Sequence, residues 1–297
     1  MVAIATAAPE ATAERQDSPD WYDLLVEAVR EPGQLSAAYK YFRNYSLCNR
    51  WLAAIQLRKL GLPLMPINTF KGWLGAERPV QREQKATISL VMPVPVKSKK
   101  KDDDAPKGKD AKAKKGAATR TPVAQPDEKE KRFTRFMLRR HWFHMEQTAG
   151  AEYQPEAVAA KDWTVETAMS FFEITERPFE FASVTDTKRM GWAGGKEISV
   201  SPLDAHPVYG RVREMARIVL GHTAAEPGKF VPTTADMRDL EAETVAYLCA
   251  ATLGIEGLEE GRLRLQAAMD EAAERIPDKV ANRAFAAADK LLNAGFC

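Results

Sequence analysis

A charged stretch near the middle of the sequence sets the first limit on how this chain folds. Residues 97–132 contain 13 Lys and Arg and 7 Asp and Glu, and they contain no aromatic residue. A segment of this composition has too few apolar side chains to bury a core, so we expect it to be disordered. The flanking residues, 87–92 and 135–145, are apolar and aromatic, which is typical of strands. We therefore predict that 97–132 is a flexible insertion between two strands of one sheet.

Charge is divided unevenly along the chain. Residues 21–150 contain 26 Lys and Arg and 13 Asp and Glu, whereas residues 151–297 contain 16 and 24. A basic half of this kind suits a polyanion such as a nucleic acid, and an acidic half does not. The insertion supplies about half of the basic excess, so the remainder belongs to the other residues of the front half.

Hydrophobic periodicity predicts an α+β fold with two domains. We expect a disordered N-terminus at 1–18, a domain of helices packed on a small antiparallel sheet at 19–150, and a second α+β domain with C-terminal helices at 155–297. The predicted helices cover 21–29, 35–42, 47–60, 164–174, 209–221, 237–253, 258–276 and 277–294. The predicted strands cover 67–73, 87–92, 135–145, 179–184 and 197–200.

Several classes of protein are excluded by simple features of the sequence. No window approaches 18 uncharged apolar residues, so we expect no membrane span. Pro9 and Glu10 interrupt the short apolar run at the N-terminus, which argues against a signal peptide. The three cysteines, Cys48, Cys249 and Cys297, are odd in number and far apart. They show no disulfide framework and no zinc spacing, which favours the cytoplasm.

The segment 39–51, YKYFRNYSLCNRW, interleaves aromatic side chains with basic and amide ones. Aromatic rings stack on unpaired bases of any identity, while Lys and Arg neutralise phosphates, so the pattern predicts binding to a nucleic-acid single strand. Aromatic residues at helical spacing also form many protein cores, so a buried role for several of them is the alternative. The predicted contact residues are Lys40, Arg43, Asn44, Tyr45, Ser46, Asn49, Arg50, Lys71, Trp73, Arg78 and Lys85.

Three blocks in this half resemble, in order, the N-terminal domain of ArdC-type antirestriction proteins. They are FRNYSLCNRWLAAIQ, TFKGWLGAERPVQREQKATISLVMPV and FHMEQTAG. The resemblance implies a domain that binds single-stranded DNA, is carried by mobile genetic elements and shields incoming strands from host restriction. Residues 76–78 and 83–86 depart from the family pattern at a Gly-Arg pair and a glycine-flanked turn. The matched positions include Asn44, Tyr45, Ser46, Asn49, Gln56, Phe70, Trp73, Val80, Pro93, Phe143, Gln147, Thr148 and Gly150.

In the same family the second domain is a zincin-like metallopeptidase built around a helix of the form HELAHVVLGH. The equivalent run here is REMARIVLGH, residues 213–222, and Glu243 matches the third metal ligand of the family. Two histidines four residues apart on a helix bind one zinc ion, and the glutamate between them activates water. Arg213 and Arg217 replace those histidines, and a guanidinium stays protonated and offers no lone pair. We therefore expect no metal, no cofactor and no peptidase activity, with Glu214 as a vestigial catalytic residue.

Carboxylates that have lost a cation are costly to bury without a replacement. We therefore predict that the guanidinium groups of Arg213 and Arg217 replace the charge of the metal by pairing with Glu214, Glu241 or Glu243. Separations above about 6 Å from all three carboxylates would contradict this.

The sequence thus favours a non-enzymatic single-stranded DNA-binding protein of a mobile element, with an inactive zincin-like second domain. Two alternatives stay open. One is a metallopeptidase with relocated zinc ligands, recruiting His206 or His222. The other is an interaction module that captures a host protein through its acidic C-terminal domain.

Overall fold

A computed structural model describes residues 18–42, 44–97, 132–151, 153, 163–181, 189–224, 234–271 and 276–296. Helices and two small three-stranded sheets make up this part of the chain, which confirms the predicted α+β class. Most of the predicted disordered N-terminus and insertion, and also Arg43, lie outside the described residues. None of the described helices combines the length and the apolar character needed to cross a membrane.

The front half contains four helices and three strands among its described residues. They are α1 (Trp21–Arg30), α2 (Pro32–Tyr41), α3 (Leu47–Lys59), β1 (Ile67–Thr69), α4 (Phe70–Gly75), β2 (Ile88–Lys97) and β3 (Arg132–His144). The described back half follows with α5 (Val165–Phe171), β4 (Thr175–Glu176), β5 (Gly191–Gly194), β6 (Glu197–Val200), α6 (Pro207–Val219), α7 (Ala235–Leu253), α8 (Leu258–Glu271) and α9 (Asp278–Ala294).

Two of the predicted strands are wrong in part. The predicted strand 67–73 ends at Thr69, because the Thr69 hydroxyl accepts a hydrogen bond from the Gly72 N–H at 3.1 Å and caps α4. The predicted strand 179–184 is absent over its described residues, 179–181, and the strand in this region is β4.

Strand β3 is the centre of the first sheet and pairs antiparallel with β1 on one side and β2 on the other. Its register with β2 shifts between Ile88 and Ser89, whose partners are Trp142 and Arg140, so His141 is an extra residue at a bulge. In the second sheet, β6 is central, parallel to β4 and antiparallel to β5.

The outer edge of β2 is closed by two amide side chains of α3. The Asn49 amide donates to the Val91 carbonyl at 2.9 Å and accepts from the Val91 N–H at 2.8 Å. The Gln56 amide makes the same pair of bonds with Ser89, also at 2.9 and 2.8 Å. By the alternation of a strand, Pro93 and Pro95 are the next residues that face this edge, and proline has no N–H to satisfy. The amides and prolines together protect the edge from pairing with another strand.

The helices of the front half share one hydrophobic core with those of the back half. Helix α2 packs on α7, and α1 and α3 pack on α9, within one continuous cluster of buried apolar side chains. The Tyr247 hydroxyl of α7 donates to the Ala28 carbonyl at 2.9 Å. The Asp289 carboxylate of α9 accepts from the Leu47 N–H at 2.8 Å, and so caps α3 where Ser46 makes no side-chain cap. The two halves therefore bury their apolar side chains together.

We expect Asn49→Leu to lower the free energy of unfolding by about 2 kcal/mol, because the Val91 N–H and carbonyl would lose their partner beside α3. Urea denaturation measures this change. Asn44→Leu is the matched control: Asn44 is exposed, and we expect a change below about 0.5 kcal/mol. Equal effects of the two substitutions would contradict a structural role for the Asn49 amide.

Candidate functional site

Helix α6 carries the run that resembles the zinc-peptidase helix, and it lies against the second sheet and α7. Pro207 occupies the first turn, where a missing N–H has no cost. The strand β5 approaches α6 closely at Gly191, where an added Cβ would lie 3.0 Å from Glu214 Oε1. Glu214 is therefore enclosed between the helix and the sheet.

The Glu214 carboxylate is 1% exposed and lies between two guanidinium groups. Its Oε1 accepts hydrogen bonds from Arg213 Nε and Nη2 at 3.1 and 3.0 Å. Its Oε2 lies 3.1 Å from Arg217 Nε. The prediction that both arginines pair with a retained carboxylate is confirmed.

Both arginines also reach a second carboxylate. Arg217 Nη1 donates to Asp239 Oδ1 at 2.7 Å, and Arg213 Nη1 lies 3.8 Å from Glu243 Oε2. Burial lowers the pKa of Arg213, but the charges of Glu214 and Glu243 outweigh that effect and raise it above its usual range. Arg213 therefore remains a cation at this site.

The Glu243 carboxylate, the counterpart of the third metal ligand, is also engaged. Its Oε1 accepts from the Tyr209 hydroxyl at 2.8 Å and from Arg264 Nε at 2.9 Å. Burial and the nearby Glu243 carboxylate raise the pKa of Tyr209, so its hydroxyl stays protonated and remains a donor. Arg264 belongs to α8 and was not identified by the sequence analysis.

The third predicted partner carboxylate, Glu241, pairs with side chains other than Arg213 and Arg217. It is fully buried, and its Oε1 accepts from Arg283 Nε at 2.7 Å. Its Oε2 lies 2.8 Å from His222 Nε2. The Glu241 alternative in our prediction is therefore wrong. The partner Arg283 lies 42 residues along the chain in α9, where no local pattern pointed to it.

These side chains do not fit a metal ion. A zinc site needs three donors with free lone pairs converging on one point. Arg213 and Arg217 offer none, and Glu243 Oε1 already accepts two hydrogen bonds. Across the described ranges, no group of three His, Cys, Asp or Glu side chains is arranged to hold a metal.

The two histidines considered for relocated metal binding contact different carboxylates. His222 contacts the buried Glu241, as described above, and its charge partner Arg283 is close by. His206 Nε2 lies 3.5 Å from Glu260 Oε1 of α8. Each histidine therefore has a carboxylate neighbour of its own, Glu241 for His222 and Glu260 for His206.

Three of the predicted nucleic-acid contacts have partners within the protein. Trp73 is fully buried, and its Nε1 donates to the Phe143 carbonyl at 2.9 Å. Arg50 is buried, with its guanidinium 4.0 Å from the centre of the Tyr39 ring and its Nε donating to the Tyr45 carbonyl. Asn49 is occupied with the edge of β2. Trp73 and Arg50 therefore fit the alternative of a core role, and the half-buried Asn49 holds the sheet edge.

Tyr45 and Arg78 also have internal partners. The half-buried Tyr45 donates its hydroxyl to the Ile67 carbonyl at 3.2 Å. Arg78 Nε donates to Thr148 Oγ1 at 3.0 Å, and Nη1 donates to the Gly150 carbonyl at 3.2 Å. The predicted residues that are exposed among those described are Lys40, Asn44, Ser46, Lys71 and Lys85.

The structure exposes front-half residues that the sequence analysis did not select. Phe70 and Phe136 are 54% and 67% exposed, and Arg135 and Arg140 are exposed on β3. Alternation along the predicted strand 135–145 was a signal that could have placed Phe136 and Arg140 on one face, since a strand turns successive side chains to opposite faces.

No protein-family model matches this chain, and no curated protein matches its sequence. Among solved structures, it is similar to the metal-free crystal structure of the antirestriction ArdC protein from the R388 plasmid. The TM-score is 0.45 at 14% identity, over 93% of this chain and 97% of that one. The Mn(II)-bound structure of that protein gives 0.42 at 14% identity, over 94% and 98%. These structural neighbours belong to the class of protein that the sequence resembles.

We expect Glu214→Gln to lower the free energy of unfolding by about 3 kcal/mol, because removing a buried anion leaves two cations short of a partner. Glu197→Gln is the control, since Glu197 pairs with Arg177 at an exposed position of the second sheet. Its loss should stay below about 1 kcal/mol. Urea denaturation of both variants measures the difference, and equal losses would show that the Glu214 pairs do not stabilise the fold.

Proposed function

We propose that this chain is an antirestriction-type protein of a mobile genetic element that binds single-stranded DNA and has no catalytic activity. The observation that carries the proposal is the basic excess of the front half outside the insertion. Without 97–132, residues 21–150 still contain 13 Lys and Arg and 6 Asp and Glu. Phosphate neutralisation by such a surface is the main source of affinity for nucleic acids.

Exposed aromatic rings favour a single strand over a duplex as the ligand. The rings of Phe70 and Phe136 face solvent in the basic half. Bases stack on aromatic side chains only where they are not already stacked and paired in a helix. A single strand offers such bases along its whole length.

The paired carboxylates of α6 and α7 support the absence of catalysis. A general base must have a lone pair that is free to take a proton from water. Glu214 Oε1 accepts from Arg213, and Oε2 lies beside Arg217 Nε. Both oxygens of the residue that matches the family's general base thus lie beside guanidinium groups, which cannot bind and polarise a water as a metal does.

A scaffold role for the back half follows from the shared core. Helices α7 and α9 supply the apolar surface on which α1, α2 and α3 pack. Asp289 and Tyr247 also satisfy backbone groups of the front half. In this proposal the second half holds the DNA-binding half in shape.

The first test measures affinity for oligo(dT) and for a duplex of equal length across a salt series. We expect tighter binding to the single strand, with log affinity falling by about 0.7 per neutralised phosphate for each unit of log salt. A variant that lacks 97–132 should still bind, with a shallower slope because fewer phosphates are neutralised.

Two outcomes of this test would contradict the proposal. A wild-type protein that binds neither oligonucleotide would exclude DNA binding as the function. It would favour the alternative hypothesis of an interaction module that captures a host protein. A deletion variant without any affinity would place binding in the insertion and exclude the folded surface.

A second test addresses the competing metallopeptidase reading. Arg213→His with Arg217→His restores two histidines one turn apart near Glu243, so we expect this double variant to gain zinc-dependent thermal stabilisation. Arg217→His alone is the control and should gain little, because one histidine and one glutamate make an incomplete site. Stoichiometric zinc in the wild-type protein, with proteolysis that chelators abolish, would establish the competing reading.

A further inference from the structure

The two faces of the first sheet differ in burial: one carries fully buried side chains, and the other carries the partly buried Val91 and Leu138 together with the exposed Phe136. Ile88 and Leu90 are fully buried, so the side of β2 that carries them faces the core. Residues paired across two strands share a face, so Trp142 and Arg139, their partners, belong to this inner side. The intervening side chains of β3 therefore belong to the opposite, outer face.

The outer face carries a row of aromatic and basic side chains along β3. Phe136, Leu138 and Arg140 alternate with the inner residues, and they pair with Pro93, Val91 and Ser89. The bulge at His141 shifts the alternation by one residue, so Phe143 returns to the same outer face opposite Asn68. The row of Phe136, Arg140 and Phe143 spans seven residue steps, or about 23 Å.

Phe70 of α4 extends this row beyond the strand. Its ring centre lies 6.4 Å from that of Phe143, at an interplanar angle of 64°. Phe70 is 54% exposed and Phe136, at the other end, is 67% exposed. The row therefore has an exposed aromatic ring at each end, where a ring of a ligand can stack.

The positive charge of the first sheet favours an anionic ligand. Strands β2 and β3 contain five Lys and Arg and no Asp or Glu. Arg140 lies between Phe136 and Phe143 on the outer face, and the exposed Arg135 is next to Phe136 in the chain. A ligand with a row of unsaturated rings and a row of negative charges matches the aromatic rings and the positive charge of this face.

We infer that the outer face of this sheet, with Phe70, Phe136, Arg140 and Phe143, stacks the unpaired bases of a DNA single strand. This inference rests on the proposed function and assigns its contacts to residues other than Tyr45 and Trp73. Aromatic side chains on the open face of a sheet stack two or three bases in other single-strand binders. Trp73 supports the face from below, since its Nε1 bonds to the Phe143 carbonyl.

The test compares oligo(dT) affinity of full-length variants. Phe136→Ala should bind about 10-fold more weakly with an unchanged salt slope, because it removes stacking and no charge. Arg140→Gln should also bind more weakly, with the slope reduced by about 0.7, because one phosphate contact is lost. Phe171→Ala, at a 57% exposed ring of α5, is the matched control and should bind like the wild type.

A positive readout comes from Phe136→Trp. This variant should keep the wild-type affinity, and its added fluorescence should be quenched by oligo(dT), as stacking on a base requires. Phe136 is outside the core, so thermal unfolding of its variants should match the wild type. Wild-type binding with unchanged affinity in Phe136→Ala and Arg140→Gln would overturn this surface and leave the proposed function standing. A wild type that does not bind would overturn both.

Discussion

Glu214 is 1% exposed, and a carboxylate buried to that degree is stable only where cations face it. Arg213 and Arg217 supply them from the same helix, one residue before and three residues after it. Their pairing permits α6 to lie against β5 at Gly191 and against α7, whose Glu243 is in turn held by Tyr209 and Arg264. The packing of the back half thus depends on a balance of charges between these carboxylates and the arginines that face them.

The part of this site that sequence reasoning predicted is the part that depends on local spacing. Side chains three positions apart on a helix are neighbours, so the pairing of Arg217 with Glu214 was foreseeable from spacing, whereas adjacent positions such as Arg213 and Glu214 do not face each other by spacing alone. The Glu241–Arg283 pair joins α7 to α9 across 42 residues, and only the packing of those helices brings it about. Similarly, apolar alternation over 67–73 predicted a strand, whereas the Thr69 cap turns the chain into α4.

In the front half, too, the sequence could not predict which side chains the packing of the fold would bury. The aromatic and basic residues of 39–51 fit a DNA-binding strip and a helix core equally well in composition, and periodicity does not distinguish a ring that faces solvent from one that faces a neighbour. Across the front half, the structure distinguishes buried side chains from exposed ones: Arg50 and Trp73 are buried, and Phe70 and Phe136 are exposed. The amides of Asn49 and Gln56 close the edge of β2, so the sheet is left with its outer face, and not its edge, available to a ligand.

The Asp289 cap on α3 has a consequence for how a gene that encodes this chain can change. A mutation that truncated the chain before α9 would remove the partner of the Leu47 N–H and the surface beneath Trp21, whose ring lies 6.1 Å from that of Phe285. Selection for the front half alone would therefore act against stop codons in the back half. The back half is thus retained because the front half folds against it.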